Sequence, residues 1–156
     1  MPLDKSMPLL VVEQRGTYSQ LIEDMLRALG FDKVDCAADG ETAIELLQAS
    51  SPKLLVADLH LEPMSGLQLL RTIRAHPRLH RCPFVMTAET LSPAEALAAR
   101  SAGVDALLLK PFKPEGLVPK LELALQRIAK TRPAPEKVEI KRPLAKALGS
   151  RQFYRG

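Results

Sequence analysis

Three short apolar runs in this chain stop on groups able to do chemistry. Leu54-Leu55-Val56-Ala57 ends on Asp58, Leu9-Leu10-Val11-Val12 on Glu13-Gln14, and Leu107-Leu108-Leu109 on Lys110-Pro111-Phe112. Runs of this length read as strands buried in a parallel sheet, and open α/β sheets keep their ligand sites at the carboxyl edge of such strands. A carboxylate at the end of a buried strand costs desolvation energy unless it binds or reacts. Two acids, an amide and a lysine delivered to one edge therefore describe a site.

The elements that must position these groups alternate regularly, which argues for an α/β domain with a parallel sheet. The spacing predicts strands over residues 9–12, 34–37, 54–57, 84–86 and 106–109. Between them come helices over about 17–29, 41–48, 66–75 and 92–101, with a last one over about 115–130. Leu21, Ile22, Met25, Leu26 and Leu29 give the first helix a buried face, and Gly30 is a natural stop. Asp39 caps the second helix, whose inner face is Ala43, Ile44 and Leu47; Leu67, Leu70 and Ile73 face inward from the third. Ser92-Pro93-Ala94-Glu95 reads as a cap, a first-turn proline and a first-turn acid. Pro119 inside the last helix removes a backbone bond and predicts a kink or a late start.

The chain has 156 residues, room for one ordinary domain and a short appendage, with 46% hydrophobic residues to build a core. It holds no apolar stretch of the roughly 20 residues a membrane span needs, and its first residues do not form a secretory signal pattern. Those features predict a cytoplasmic protein without membrane insertion. Cys36 and Cys82 are expected as free buried thiols, and His76 and His80 as surface loop residues. The formal charge of +4 is uneven: residues 132–156 carry seven Lys/Arg against two Glu, a net +5, which leaves −1 for residues 1–131. Arg132-Pro133-Ala134-Pro135 reads as a linker, so residues 131–156 are expected to be a flexible basic tail. Clustered cations and Phe153-Tyr154 would attract nucleic acid non-specifically, but no DNA-binding fold fits in a segment so short, and docking on a protein partner is favoured.

Taken in order, five features resemble the receiver domain of bacterial two-component response regulators. They are the acidic start after the first strand, Asp58 with Pro63-Met64-Ser65-Gly66 behind it, Thr87-Ala88, Ala102-Gly103 and Lys110-Pro111-Phe112. The likeness covers about residues 8–130 and is nearest to the stand-alone chemotaxis type. It implies a doubly wound, flavodoxin-like sheet of five parallel strands in the order 2-1-3-4-5, with helices on both faces. It also implies that Asp58 accepts a phosphoryl group from a histidine kinase or phosphotransfer protein. A carboxylate attacking phosphorus must overcome repulsion between anions, so positive charge and donors have to face the phosphoryl oxygens. Lys110 would supply a cation and Thr87 a hydroxyl, while Mg2+ would sit on Glu13, Asp58 and the His60 backbone carbonyl. The Lys110–Pro111 peptide is expected in cis. Residues 92–130 would carry the surface for a downstream protein partner, and the molecule would be a monomer or weak dimer, not an enzyme beyond slow self-dephosphorylation.

Two positions depart from the family pattern. Gln14 stands where the second acid, a direct metal ligand, is usual, so the ion loses about one charge of ligand and roughly tenfold or more in affinity. Leu107 stands where an aromatic on the fifth strand usually reports the switch. The leading expectation is a single-domain response regulator. The alternatives are a receiver-like adaptor that works without phosphorylation and a nucleic-acid accessory protein acting through the tail.

Overall fold

The computed structural model describes residues 3–50 and 54–131, with side chains to residue 127. Strands and helices alternate throughout: β1 (Leu9–Val12), α1 (Gly16–Ala28), β2 (Val34–Ala37), α2 (Gly40–Ser50), β3 (Leu54–Asp58), α3 (Gly66–Ala75), β4 (Phe84–Ala88), α4 (Pro93–Ser101), β5 (Ala106–Leu109) and α5 (Pro114–Thr131). The strands form one parallel sheet in the order β2-β1-β3-β4-β5, the doubly wound arrangement expected from the sequence resemblance. Of the tail expected over residues 131–156, Thr131 ends α5 and residues 132–156 lie outside the described residues, as does any docking by them.

Every residue of β1, β3 and β4 is buried, which is why these strands read as unbroken apolar runs. Side chains alternate across the sheet, so each strand feeds two separate cores. Leu10, Val12, Leu55 and Ala57 pack with Ile44, Leu47, Leu69, Leu70 and Ile73 of α2 and α3. Leu9, Val11, Leu54 and Val56 pack on the other face with Ile22 and Leu26 of α1 and Leu117, Leu121 and Ala124 of α5. At about 25 cal/mol per Å2 of apolar surface, fully burying one such side chain stabilises by about 1.5–3 kcal/mol. These two layers are the main source of the fold's stability.

Local signals set the helix ends. Asp39 accepts from the Thr42 N–H at 2.8 Å, and Ser65 and Ser92 each form a reciprocal capping box, with Gln68 and Glu95. Gly30 takes a φ of 109°, as a residue ending α1 in the left-handed region must.

Five expectations are corrected. Leu21 is 44% exposed, and Leu69, fully buried, takes the inner position on α3 while Leu67 is half-buried. Cys36 is exposed on the edge strand β2, and Cys82 is half-buried. His76 and His80 are buried, because Arg74 gathers the carbonyls of His80, Cys82 and Gly103 and draws that loop onto the domain. The fifth helix has no late start: it begins at Pro114 and continues through Pro119, whose ring sits on the exposed side.

Candidate functional site

The sheet's register explains why distant residues meet. Asp58 pairs with Thr87 across β3 and β4, and Val12 aligns with Ala57 across β1 and β3. Glu13, one residue beyond Val12, therefore lies level with Asp58. Lys110 follows Leu109, the partner of Ala88, and its N–H continues the ladder to the Ala88 carbonyl at 2.8 Å. Four strands thus end in one plane at the carboxyl edge.

There the Lys110 ammonium bridges both acids, 2.7 Å from Glu13 Oε1 and 2.8 Å from Asp58 Oδ1. All three side chains are nearly closed to solvent, at 5% exposure for Lys110, 3% for Glu13 and 7% for Asp58. Burial pulls the Lys110 pKa down, but its bonds to Asp58 and Glu13 outweigh that and hold it above the ordinary lysine value. Lysine stays charged. Two carboxylates against one ammonium leave the buried trio with a formal charge of −1.

Asp58 is held from three sides. Thr87 Oγ1 donates to its Oδ1 at 3.1 Å and the His60 N–H to its Oδ2 at 2.9 Å, besides the lysine. Gly66 stands directly behind it: a Cβ there would fall on the Asp58 carbonyl oxygen and 2.8 Å from Leu59 Cα. Only glycine lets α3 start this close to the strand end, and its N–H donates to the Leu59 carbonyl at 2.8 Å. The Lys110–Pro111 peptide is cis, as is Glu62–Pro63.

The rim is built from pairs that sequence reasoning did not foresee. Gln14 is exposed, and its amide oxygen accepts from the Glu62 N–H at 3.1 Å. Arg15 donates its N–H to Glu13 Oε2 at 3.2 Å and sends its guanidinium to Glu89, two residues beyond Thr87, at 3.7 Å. His60 reaches Glu95, in the first turn of α4, at 3.5 Å. Leu107 is half-buried and packs at the edge of the core under α2 and α3. The largest omission was Tyr18. Its ring lies 4.2 Å from the Lys110 ammonium and meets Phe112 edge-on at 6.1 Å between centroids. Its place was legible in principle, because the first turn of a helix that follows a sheet strand lies beside the carboxyl edge.

For a divalent ion, Glu13 and Asp58 offer the one or two carboxylates that magnesium usually takes from protein. Gln14 adds only a neutral oxygen, already engaged by Glu62. Among the described residues no group of three or more His, Cys, Asp or Glu gathers around one point. The residues fit a magnesium ion completed by water, with one ligand charge fewer.

The model of the response regulator receiver domain matches residues 9–122. Over 122 residues the chain is 34% identical to chemotaxis protein CheY of Pseudomonas aeruginosa, covering 78% of this chain and 98% of that protein. It is 37% identical over 120 residues to chemotaxis protein CheY1 of Helicobacter pylori strain J99, covering 76% and 97%. Among solved structures, one from Chloroflexus aurantiacus superposes with a TM-score of 0.73 at 30% identity over 78% of this chain and 99% of that one. A CheY-like receiver domain protein from Methanospirillum hungatei, at 23% identity, shares the fold with a TM-score of 0.71 over 80% of this chain and 98% of its own.

Proposed function

The chain belongs to the response regulator receiver family, and from that premise we propose that it is a phosphoacceptor switch in a two-component phosphorelay, with Asp58 as the acceptor. The observation that carries this reading is the Lys110 ammonium seated between Glu13 and Asp58, with Thr87 on the same Asp58 oxygen. A carboxylate oxygen of Asp58 attacks the phosphorus of a phosphohistidine or a small donor. The O–P bond forms as the P–N bond of the donor breaks, and the departing nitrogen takes up a proton. Lys110 and Thr87 then face oxygens of the transferred group, where charge develops. A magnesium ion would be held by Glu13, Asp58 and the His60 carbonyl, and when bound it supplies positive charge against the phosphoryl oxygens. Later loss of the phosphoryl group to water is slow and not a turnover reaction.

The signal passes by protein contact through the face of α4, β5 and α5. Leu97, Leu109 and Leu123 are exposed there, at 65%, 53% and 42%, beside a groove of about 410 Å3 lined by Arg100, Leu107, Lys120 and Leu123 among others. Exposed apolar groups rimmed by charge suit a protein interface. The His60–Glu95 contact ties the acceptor loop to the first turn of α4, so it offers a route to this face that needs no aromatic at Leu107.

Incubation with phosphoramidate and Mg2+, followed by intact mass, tests the reading. The wild type is expected to gain one phosphoryl group and Asp58→Asn none. An equal adduct on both proteins, or on neither, would overturn it.

A further inference from the structure

Lys110 has a third neighbour besides its two carboxylates. The Tyr18 ring, in the first turns of α1, lies 4.2 Å from the ammonium and meets Phe112, two residues after the lysine, edge-on. Phe112 is itself buried in the core beneath α1 and α5. The Tyr18 ring thus meets the ammonium that Glu13 and Asp58 also hold. The phenol hydroxyl is buried, meets no close side-chain partner among the described residues and feels the Phe112 backbone. The residue's contact with Lys110 is made by its ring. Burial raises the phenol's pKa against the opposing pull of the Lys110 charge, so the ring stays neutral and its face remains attractive to a cation.

We propose that Tyr18 is a positioning residue for phosphoryl transfer: its ring face holds the Lys110 ammonium at the height where it can meet both Asp58 and an incoming phosphoryl group. The proposal rests on the phosphoacceptor reading above. The two carboxylates hold the ammonium at 2.7 and 2.8 Å, and the ring adds a third contact on it. That contact covers an ammonium that is nearly closed to solvent. When Asp58 becomes an acyl phosphate and loses its carboxylate charge, the ring keeps the ammonium placed to meet the phosphoryl oxygens that replace it.

Three proteins test this: wild type, Tyr18→Phe, which keeps the ring, and Tyr18→Leu, which keeps an apolar group without a ring. Phosphoramidate labelling with Mg2+ is timed by intact mass, and thermal melts are recorded in parallel. Tyr18→Phe should label at the wild-type rate, since it keeps the ring that faces the ammonium. Tyr18→Leu should label between about twofold and thirtyfold more slowly, the range a cation–π contact covers from exposed to desolvated sites. Equal rates for Leu and wild type, or equal losses for Leu and Phe, would refute it. An independent readout uses the wild type alone. The Lys110 ε-methylene protons, over an aromatic face, should resonate upfield of those of other lysines in a 1H–13C spectrum, and unshifted protons would sink the proposal even if Tyr18→Leu failed to fold. If the wild type takes no label at all while the upfield shift is present, the phosphoacceptor reading fails and the bracing of Lys110 stands.

Discussion

Replacing Gln14 by Glu changes one group of the side chain, an amide for a carboxylate of the same reach. The oxygen that accepts from the Glu62 N–H at 3.1 Å is retained, so the rim geometry is expected to survive. What changes is charge: the buried trio's −1 is joined by a third carboxylate, at the exposed position beside it. A monovalent charge about 4 Å from a divalent ion gains roughly 2 kcal/mol even in a water-like dielectric. Salt screening and the cost of holding the side chain reduce that, leaving about 1.4 kcal/mol, or about tenfold in affinity. Calorimetric titration of Mg2+ into wild type and Gln14→Glu should therefore show tighter binding in the variant by about that factor. Phosphoramidate labelling of the variant should saturate at correspondingly lower Mg2+. An unchanged dissociation constant would mean that Gln14 does not border the ion, and the whole assignment of ligands to the β1 end would have to be withdrawn.

Further outcomes follow from the same structure. Lys110→Met leaves Glu13 and Asp58 buried without their shared cation, and losing one partner of such a group costs about 3–5 kcal/mol of unfolding free energy. Denaturant titration should show that loss, added Mg2+ should recover part of it, and a variant as stable as wild type would contradict the buried bridge. His76 gives a pH dependence. Burial first, then the nearby charges of Arg78 and His80, lower its pKa to about 4, and its Nδ1 accepts from the Arg78 N–H at 3.0 Å, a bond that protonation would break. The unfolded chain binds this proton near pH 6.5 and the folded one only near 4, so stability is full above about 6.5 and declines as pH falls toward 4. His76→Gln should flatten that slope in denaturant midpoints between pH 4 and 7, and an unaltered slope would assign it to other groups.

Much of the architecture was readable because parallel strands buried on both faces announce themselves as apolar runs, and the residues that follow them meet at the carboxyl edge. Asp58, Thr87, Glu13 and Lys110 converge because register aligns the strand ends, a consequence of topology that pattern alone could anticipate. Side chains on helices and loops were harder. Tyr18 gave no motif, being a single aromatic in an amphipathic stretch. Leu21 matched the helical period yet points outward, since the apolar stripe on α1 is narrower than the spacing suggests. His76 precedes and His80 follows the helix-ending Pro77, and both look like surface residues. They are buried because Arg74, itself unremarkable in sequence, reaches three carbonyls and the carboxylate of Asp105 at 3.0 Å. Tertiary partners of that kind leave no local trace.

Asp105 opens a mechanical view of the sheet. Its carboxylate accepts from the Phe84 N–H at 2.9 Å and from Arg74, and it pairs with Arg127 of α5 at 3.4 Å, so the starts of β4 and β5 and the ends of α3 and α5 share one fastening. All of this lies at the amino edge, opposite Asp58. A strand of four residues such as β5 is about 13 Å long, and a tilt of roughly 5° about a pinned end displaces its free end by about 1 Å. The domain is therefore built like a fan closed at the handle: small angular adjustments, cheap near Asp105, become atomic-scale displacements at Lys110 and the loops that follow it.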